Sequence, residues 1–395
     1  RLMEGRISFD ASRILKDAIN NGFTIKDDDV GIFSVPVDHP VEINKKMTMR
    51  TVSVSHKLGT TRSIALNNRI FAIASSKSIN VIDTENKKNI KFNVEKIQNV
   101  RSVPNGNFLA CTENGFVHEI IMSTDFDRLA MRQITHINDT IGELKISNGG
   151  ERNYAISNKN KTAIYSGIQR EYYKIKLKEP FIDFNVNNDD VYVATENTVE
   201  YYQFGKQYAT WNSIGQIRSI SIDSMASSIG CCTKNGCYII DLRSPHINAL
   251  CTQNCNNPVS LHMSPFLDLA VAITENGMIT FDLRQPDNVV SHVSFSRSQS
   301  SSSFSPLNSP VHSPSSSSDK IDIKGTWMPE SRLFSLVFTD SFNITCPYLQ
   351  MPALESYKIP DDSLVSIHSN LQLSIIQQKN SISFIGGFGY PFHVP

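Results

Sequence analysis

Two stretches of this chain are near copies of one another. Residues 229–243 read IGCCTKNGCYIIDLR and residues 270–284 read AVAITENGMITFDLR. Superposed, Thr233 falls on Thr274, Asn235 on Asn276, Gly236 on Gly277, and Asp241-Leu242-Arg243 on Asp282-Leu283-Arg284, at an offset of 41 residues. Each copy is an apolar run, a Thr-x-Asn-Gly turn, and a second apolar run that ends on an aspartate. Asn-Gly takes positive φ at little cost, and the flanks are apolar and β-branched, so each copy predicts a β-hairpin.

The hairpin recurs along the chain in weaker form. Eight units of a short strand, a strand of small and apolar residues, a tight turn and a third strand run from about residue 63 to 389. Their turns fall at Ser78, Gly115, Lys161, Thr198, Gly236, Gly277, Phe342 and Ser381. Successive turns are 37 to 46 residues apart, except for 65 between Gly277 and Phe342. That long interval contains SFSRSQSSSSFSPLNSPVHSPSSSS, a Ser/Pro-rich tract with too few apolar residues to offset its chain entropy. It reads as a disordered loop insertion at 294–319, and without it the interval returns to the common period. Hairpins at a period of about 40 residues are the mark of a propeller blade.

The fold class expected is therefore all-β: a single closed β-propeller of eight four-stranded blades, or of seven if the first or seventh unit is misread. Closure leaves only short, protected edges. The last unit lacks an outer strand, because GGFGYPFHVP at the C-terminus is not strand-like. The strand expected at 47–55, with that at 30–37, is free to fill the place and latch the ring. In domain terms, 1–29 is an N-terminal helical segment and 30–395 is the propeller. In that segment Ala11, Ile14, Leu15, Ala18 and Ile19 recur at helical spacing and form one apolar face. Such a face packs on its own domain or docks in a partner's groove.

Composition narrows the function. Lys and Arg number 38, Asp and Glu also 38, so the basic surplus that nucleic-acid binding leans on is missing. No apolar run reaches the length of a membrane span, and no apolar signal-peptide core opens the sequence. The seven cysteines are an odd number and read as buried free thiols of an intracellular protein of cytoplasm or nucleus. Cys251 and Cys255 form a lone C-x3-C without a second pair, so no metal is expected there. The ten histidines are scattered, and nucleophile-elbow, P-loop, HExxH and dinucleotide motifs are absent. The chain is expected to be no enzyme, with no catalytic residue, cofactor or small-molecule substrate.

The repeat resembles the WD40-repeat family over about residues 45–390. His136 followed by Ile141, Leu144, Ile146 and Ser147 is similar to the opening of a WD40 unit. IIDLR and TFDLR stand where the family has Trp-Asp-x-Arg, and no Trp-Asp dipeptide occurs. The resemblance implies a non-catalytic interaction scaffold inside a multisubunit complex. Asp241 with Arg243, and Asp282 with Arg284, end equivalent strands in consecutive units. Asp-x-Arg at that place looks like the element by which some WD40 substrate receptors meet the adaptor of a cullin-type ubiquitin ligase. Such receptors also carry a helix ahead of the propeller, which makes Ile14 and Leu15 candidate partner residues. The plainer reading is that each Arg pairs with an acidic residue or a carbonyl in its own turn.

Two further features are expectations of the same kind. Ser305, Ser309 and Ser313 each precede a proline and are minimal phosphorylation sites in the Ser-rich loop, which is otherwise an unregulated linker. Lys87, Lys88, Lys91 and Lys96, with Lys159, Lys161, Lys174, Lys176 and Lys178, support an alternative function, binding of nucleic acid or anionic lipid. The last three alternate with Ile175 and Leu177, as on the solvent face of an outer strand.

Overall fold

The computed structural model describes the chain from Thr48 to Gly386, apart from 54–60, 295–322, 346–354 and shorter loop stretches that include 243–246 and 250–254. Every regular element in it is a strand. The strands form eight four-stranded sheets. In the first seven, each strand pairs antiparallel with the next along the chain. Their innermost strands are Thr61–Asn67, Ile97–Ser102, Ile141–Ile146, Asp183–Asn187, Ile217–Ile222, Pro258–Met263 and Lys324–Met328. From the first sheet to the seventh, each innermost strand lies beside the next, and Leu364–Ile367 of the eighth lies beside that of the first.

The eighth sheet is built from both ends of the described chain. Its outer strand is Thr48–Ser53, which pairs antiparallel with Ser381–Gly386, so that Thr48 faces Gly386 and Ser53 faces Ser381. The strand expected at 47–55 thus fills the place left by the C-terminus. The expected helix with Ile14 and Leu15, the strand at 30–37, and the Ser-rich insertion with Ser305, Ser309 and Ser313 lie outside the described residues.

One side chain closes the turn between second and third strands in several sheets. The Thr233 hydroxyl accepts the Asn235 N–H at 3.2 Å and donates to the Gly236 carbonyl at 3.1 Å. Thr274 donates to Gly277 at 3.1 Å, and Ser75 to Ser78 at 3.0 Å. In the third sheet the Asn158 amide oxygen accepts the N–H groups of Thr162 and Ala163. The Thr-x-Asn-Gly segment forms the hairpin expected. Thr233 pairs with Gly236, so the two-residue loop is Lys234–Asn235, and the glycine begins the next strand. The threonine hydroxyl binds the loop from within. At Gly115 the glycine itself is required: its φ is +91°, and an added Cβ would fall 1.8 Å from the Ile137 carbonyl oxygen.

The innermost strands also depart from simple alternation. Each of the first, second, third, fifth and sixth carries a β-bulge near its start, between Thr61 and Ser63, Ile97 and Asn99, Ile141 and Leu144, Ile217 and Ser219, and Pro258 and Ser260. The extra residue shifts the buried positions to a spacing of three, as in Ile97 and Val100 or Ile217 and Ile220. The core lies in the gaps between successive sheets. Ile79 and Val81 of the first sheet meet Val100 and Phe108 of the second. Ile164 and Ile175 of the third meet Phe184 and Val191 of the fourth. Ile239 of the fifth meets Leu261 and Phe281 of the sixth. Each such large side chain contributes about 1.5–3 kcal/mol of burial.

Candidate functional site

Arg284 turns back onto its own strand end. Its Nε and one terminal nitrogen donate to the two carboxylate oxygens of Asp282 at 3.0 and 2.9 Å, and its backbone N–H donates to the same carboxylate at 3.0 Å. Asp282 is buried and Arg284 is 42% exposed. The fork-to-carboxylate geometry raises the Arg284 pKa further above its already high value, against the opposing effect of burial. The equivalent Asp241 and Leu242 are half-buried, and Arg243 lies outside the described residues.

At the centre of the molecule, the innermost strands bind one another across sheet boundaries through side chains. Arg62, the bulged residue of the first sheet, donates to the Ile97 carbonyl of the second at 3.2 Å. Arg218, its counterpart in the fifth, donates to the Pro258 carbonyl of the sixth at 2.7 Å. Ser63 exchanges hydrogen bonds with the backbone of Val100, and Asn99 donates to the Gly142 carbonyl. Lys145 donates to Asp183 at 2.7 Å and to the Phe184 carbonyl at 2.6 Å, and the other oxygen of Asp183 accepts the Ile220 N–H at 3.0 Å. Ser219 and Ser221 accept the N–H groups of Leu261 and Met263. The Trp327 indole N–H donates to the His262 carbonyl. A polar girdle therefore runs from the first sheet to the seventh. Arg101 joins the girdle by donating to the Ser63 hydroxyl at 3.1 Å; burial lowers its pKa, with Glu143 acting in the opposite sense. Burial also pushes the His262 imidazole down to about 4.

On the periphery, three large aromatic side chains among the described residues stand in solvent: Tyr172 at 37%, Phe204 at 43% and Tyr208 at 59% exposure. They occupy neighbouring positions around the rim. Tyr172, on the outer strand of the third sheet, meets Tyr165 edge-on, on the face turned to the second sheet. Phe204, in the turn of the fourth, meets Tyr173 of the third edge-on. Tyr208 is the unpaired residue of a bulge in the outer strand Lys206–Asn212. It ends a row of rings, Tyr192, Tyr201 and Tyr208, with centroids 5.1 and 5.8 Å apart. Burial and a hydrogen bond to the Asp190 carboxylate raise the Tyr201 pKa. Sequence reading passed over these three residues because their strands alternate weakly. The available signal was the clustering of Tyr and Phe between residues 165 and 208.

The lysines lie where alternation put them. Lys174 and Lys176 are exposed while Ile175 between them is buried, and Lys88, Lys91 and Lys96 are exposed. Lys174 lies over the Tyr165 ring at 5.3 Å. Among the described residues no group of three or more His, Cys, Asp or Glu side chains is arranged to hold a metal. No described helix is long and apolar enough to cross a membrane.

No protein-family model matches the chain. No curated protein matches it by sequence. Among solved structures it is similar to the Dos1 propeller, with a TM-score of 0.56 and 12% identity over 86% of this chain and 95% of that one. It is also similar to Sqt1 of Saccharomyces cerevisiae, with a TM-score of 0.55 and 8% identity over 85% of this chain and 98% of that one. At these identities the likeness concerns the fold, and that fold is a β-propeller.

Proposed function

We propose that this chain is a non-catalytic protein-interaction scaffold of an intracellular complex, built as one ring of eight blades. The observation that supports it best is the aromatic rim. Tyr172, Phe204 and Tyr208 are exposed, large and held by ring contacts at three successive sheet junctions. Aromatic residues of this kind anchor protein interfaces, since they contribute much apolar area at little cost in side-chain freedom. The five described free cysteines are buried, in keeping with a reducing compartment.

The test is affinity purification of the full chain from its native cell, beside a variant with Tyr172→Ser, Phe204→Ser and Tyr208→Ser. The wild-type chain is expected to recover a stoichiometric protein partner, and the variant to lose it at unchanged circular dichroism and Tm. Equal recovery by both would overturn the rim as the docking surface. The narrower reading is a substrate receptor of a cullin-type ubiquitin ligase. It assigns the adaptor contact to Asp241, Arg243, Asp282 and Arg284 together with Ile14 and Leu15. Charge reversal at both arginines, or Ile14→Asp with Leu15→Asp, then releases the partner. Phosphorylation at Ser305, Ser309 and Ser313 would add charge to the segment that joins the sixth and seventh sheets in sequence and modulate the same complex. Binding of nucleic acid or anionic lipid through Lys88, Lys91, Lys174 and Lys176 is the alternative. It requires an affinity that falls steeply with salt.

A further inference from the structure

The fifth sheet and the connection that leaves it bring three cysteines together that are scattered in sequence. Cys232 and Cys237 face each other across the hairpin. Cys255 lies in the connection to the sixth sheet, with its Sγ 3.6 Å from that of Cys237. The Cys232 thiol donates to the Pro258 carbonyl at 3.5 Å. All three are buried in one apolar cluster with Leu261, Ala272, Ile279 and Phe281. The arrangement does not match a metal centre, and thiol hydrogen bonds are weak, so the row is not explained by polar satisfaction. Sulfur atoms at 3.6 Å need to approach by about 1.5 Å to reach a disulfide bond length. Cys255 sits in a connection rather than in a paired strand, where such a shift breaks no ladder.

We propose that Cys237 and Cys255 are a reversible disulfide site, oxidised by hydrogen peroxide. The thiolate of Cys255 attacks one peroxide oxygen, the O–O bond breaks, and the second oxygen leaves as hydroxide and is protonated to water. The resulting sulfenic acid is attacked by the Cys237 thiolate. The S–O bond breaks, the S–S bond forms, and the oxygen leaves as a second water. Two thiols lose two protons and two electrons, and one peroxide is reduced to two waters. Cys255 is assigned the first attack because the contact it shares with Cys237 lowers its pKa, whereas contacts with Cys232 and Cys255 raise that of Cys237. The product stays in an apolar cluster that tolerates it, since a disulfide carries no proton to satisfy. It ties the start of the strand Gly236–Asp241 in the fifth sheet to the connection that leads into the sixth.

The inference is independent of the partner surface and is tested on the full reduced chain. The protein is treated with hydrogen peroxide, unreacted thiols are alkylated, and the digest is mapped by mass spectrometry before and after dithiothreitol. A peptide joining Cys237 to Cys255 is expected, formed more slowly than oxidation of an exposed model thiol and lost on reduction, with a rise in Tm of the oxidised chain. Cys255→Ser should abolish the linked peptide and leave Cys237 as a free thiol. The wild-type map decides the matter even if that variant folds poorly. A map that shows Cys237 and Cys255 still alkylatable while other thiols oxidise would overturn the site. So would one in which Cys255 proceeds to sulfinic acid, or in which Cys237 links to Cys232 instead.

Discussion

Lys145 of the third sheet donates to Asp183 of the fourth at 2.7 Å, and Asp183 in turn accepts the Ile220 N–H of the fifth. One carboxylate thus joins three consecutive sheets. Both side chains of the pair are mostly buried, at 25% and 20% exposure, so removing one partner leaves a charge and a backbone donor with poor access to water. Asp183→Ala is expected to cost about 2 kcal/mol or more. Lys145→Met should cost less, because Asp183 keeps the Ile220 N–H and the apolar stem is replaced. Urea denaturation midpoints measure both, and equal small losses would mean that the girdle holds nothing together.

A second relationship concerns space rather than charge. Tyr154 faces Gly167 across its strand pair, and a Cβ on that glycine would lie 2.0 Å from the tyrosine ring. Gly167→Ala should therefore cost about 2–3 kcal/mol through forced displacement of the ring. The Tyr154 hydroxyl is buried without a hydrogen-bond partner in the described structure. Tyr154→Phe removes that unsatisfied group and should be neutral or raise stability by about 1 kcal/mol. Thermal melts should show Gly167→Ala lowered and Tyr154→Phe unchanged or raised.

Acid should weaken the sixth sheet through His262. Its imidazole lies 2.9 Å from the Ser260 hydroxyl and edge-on to Phe334, and burial lowers its pKa from 6.5 to about 4. Asp183 acts in the opposite sense but is outweighed. Between pH 4 and 6.5 the unfolded chain binds a proton that the folded chain does not. Stability from this group is fully present above 6.5 and falls toward pH 4, by up to about 3 kcal/mol. His262→Gln should flatten the pH dependence of the urea midpoint across that window. An unchanged slope would mean that the imidazole is not held neutral.

The Asp282–Arg284 fork separates a structural role from a docking one. Arg284→Lys keeps the charge but cannot bridge both carboxylate oxygens, and should lower stability by about 1 kcal/mol or less, since the arginine is well exposed. A partner that reads the fork should bind this variant more weakly than so small a loss of stability explains. Partner affinity that follows Tm alone would leave the arginine a clasp for its own turn.

The periodic signal reported most of this architecture. Thr233 and Thr274 recur because each closes a hairpin, and Ile175 and Leu177 alternate with lysines because one face of their strand is buried. The outermost strands were harder to read. Lys88–Asn93 is mostly exposed, and only Ile90 and Phe92, partly buried against the core, mark its inner face. The bulges were hidden as well: spacing of three between Ile97 and Val100 breaks strand alternation and mimics a helical step. Arg62 and Arg218 carry no periodic signal of their own, and only the paired strands show that each donates across a sheet boundary. The Cys237–Cys255 contact joins residues 18 apart through a connection with no periodicity, and spacing rules for metal ligands point elsewhere.

The closure of the ring by its own N-terminal strand is tested most directly by cross-strand disulfide trapping. Thr51 faces Ser383 in the eighth sheet, so Thr51→Cys with Ser383→Cys should form an intramolecular disulfide on mild oxidation of the native full chain. Thr51→Cys with Ile382→Cys, one residue out of register and on the opposite face, should not. A Thr51–Ser383 pair that stays reduced under native conditions, or that links only between two molecules, would contradict a ring latched by its own two ends.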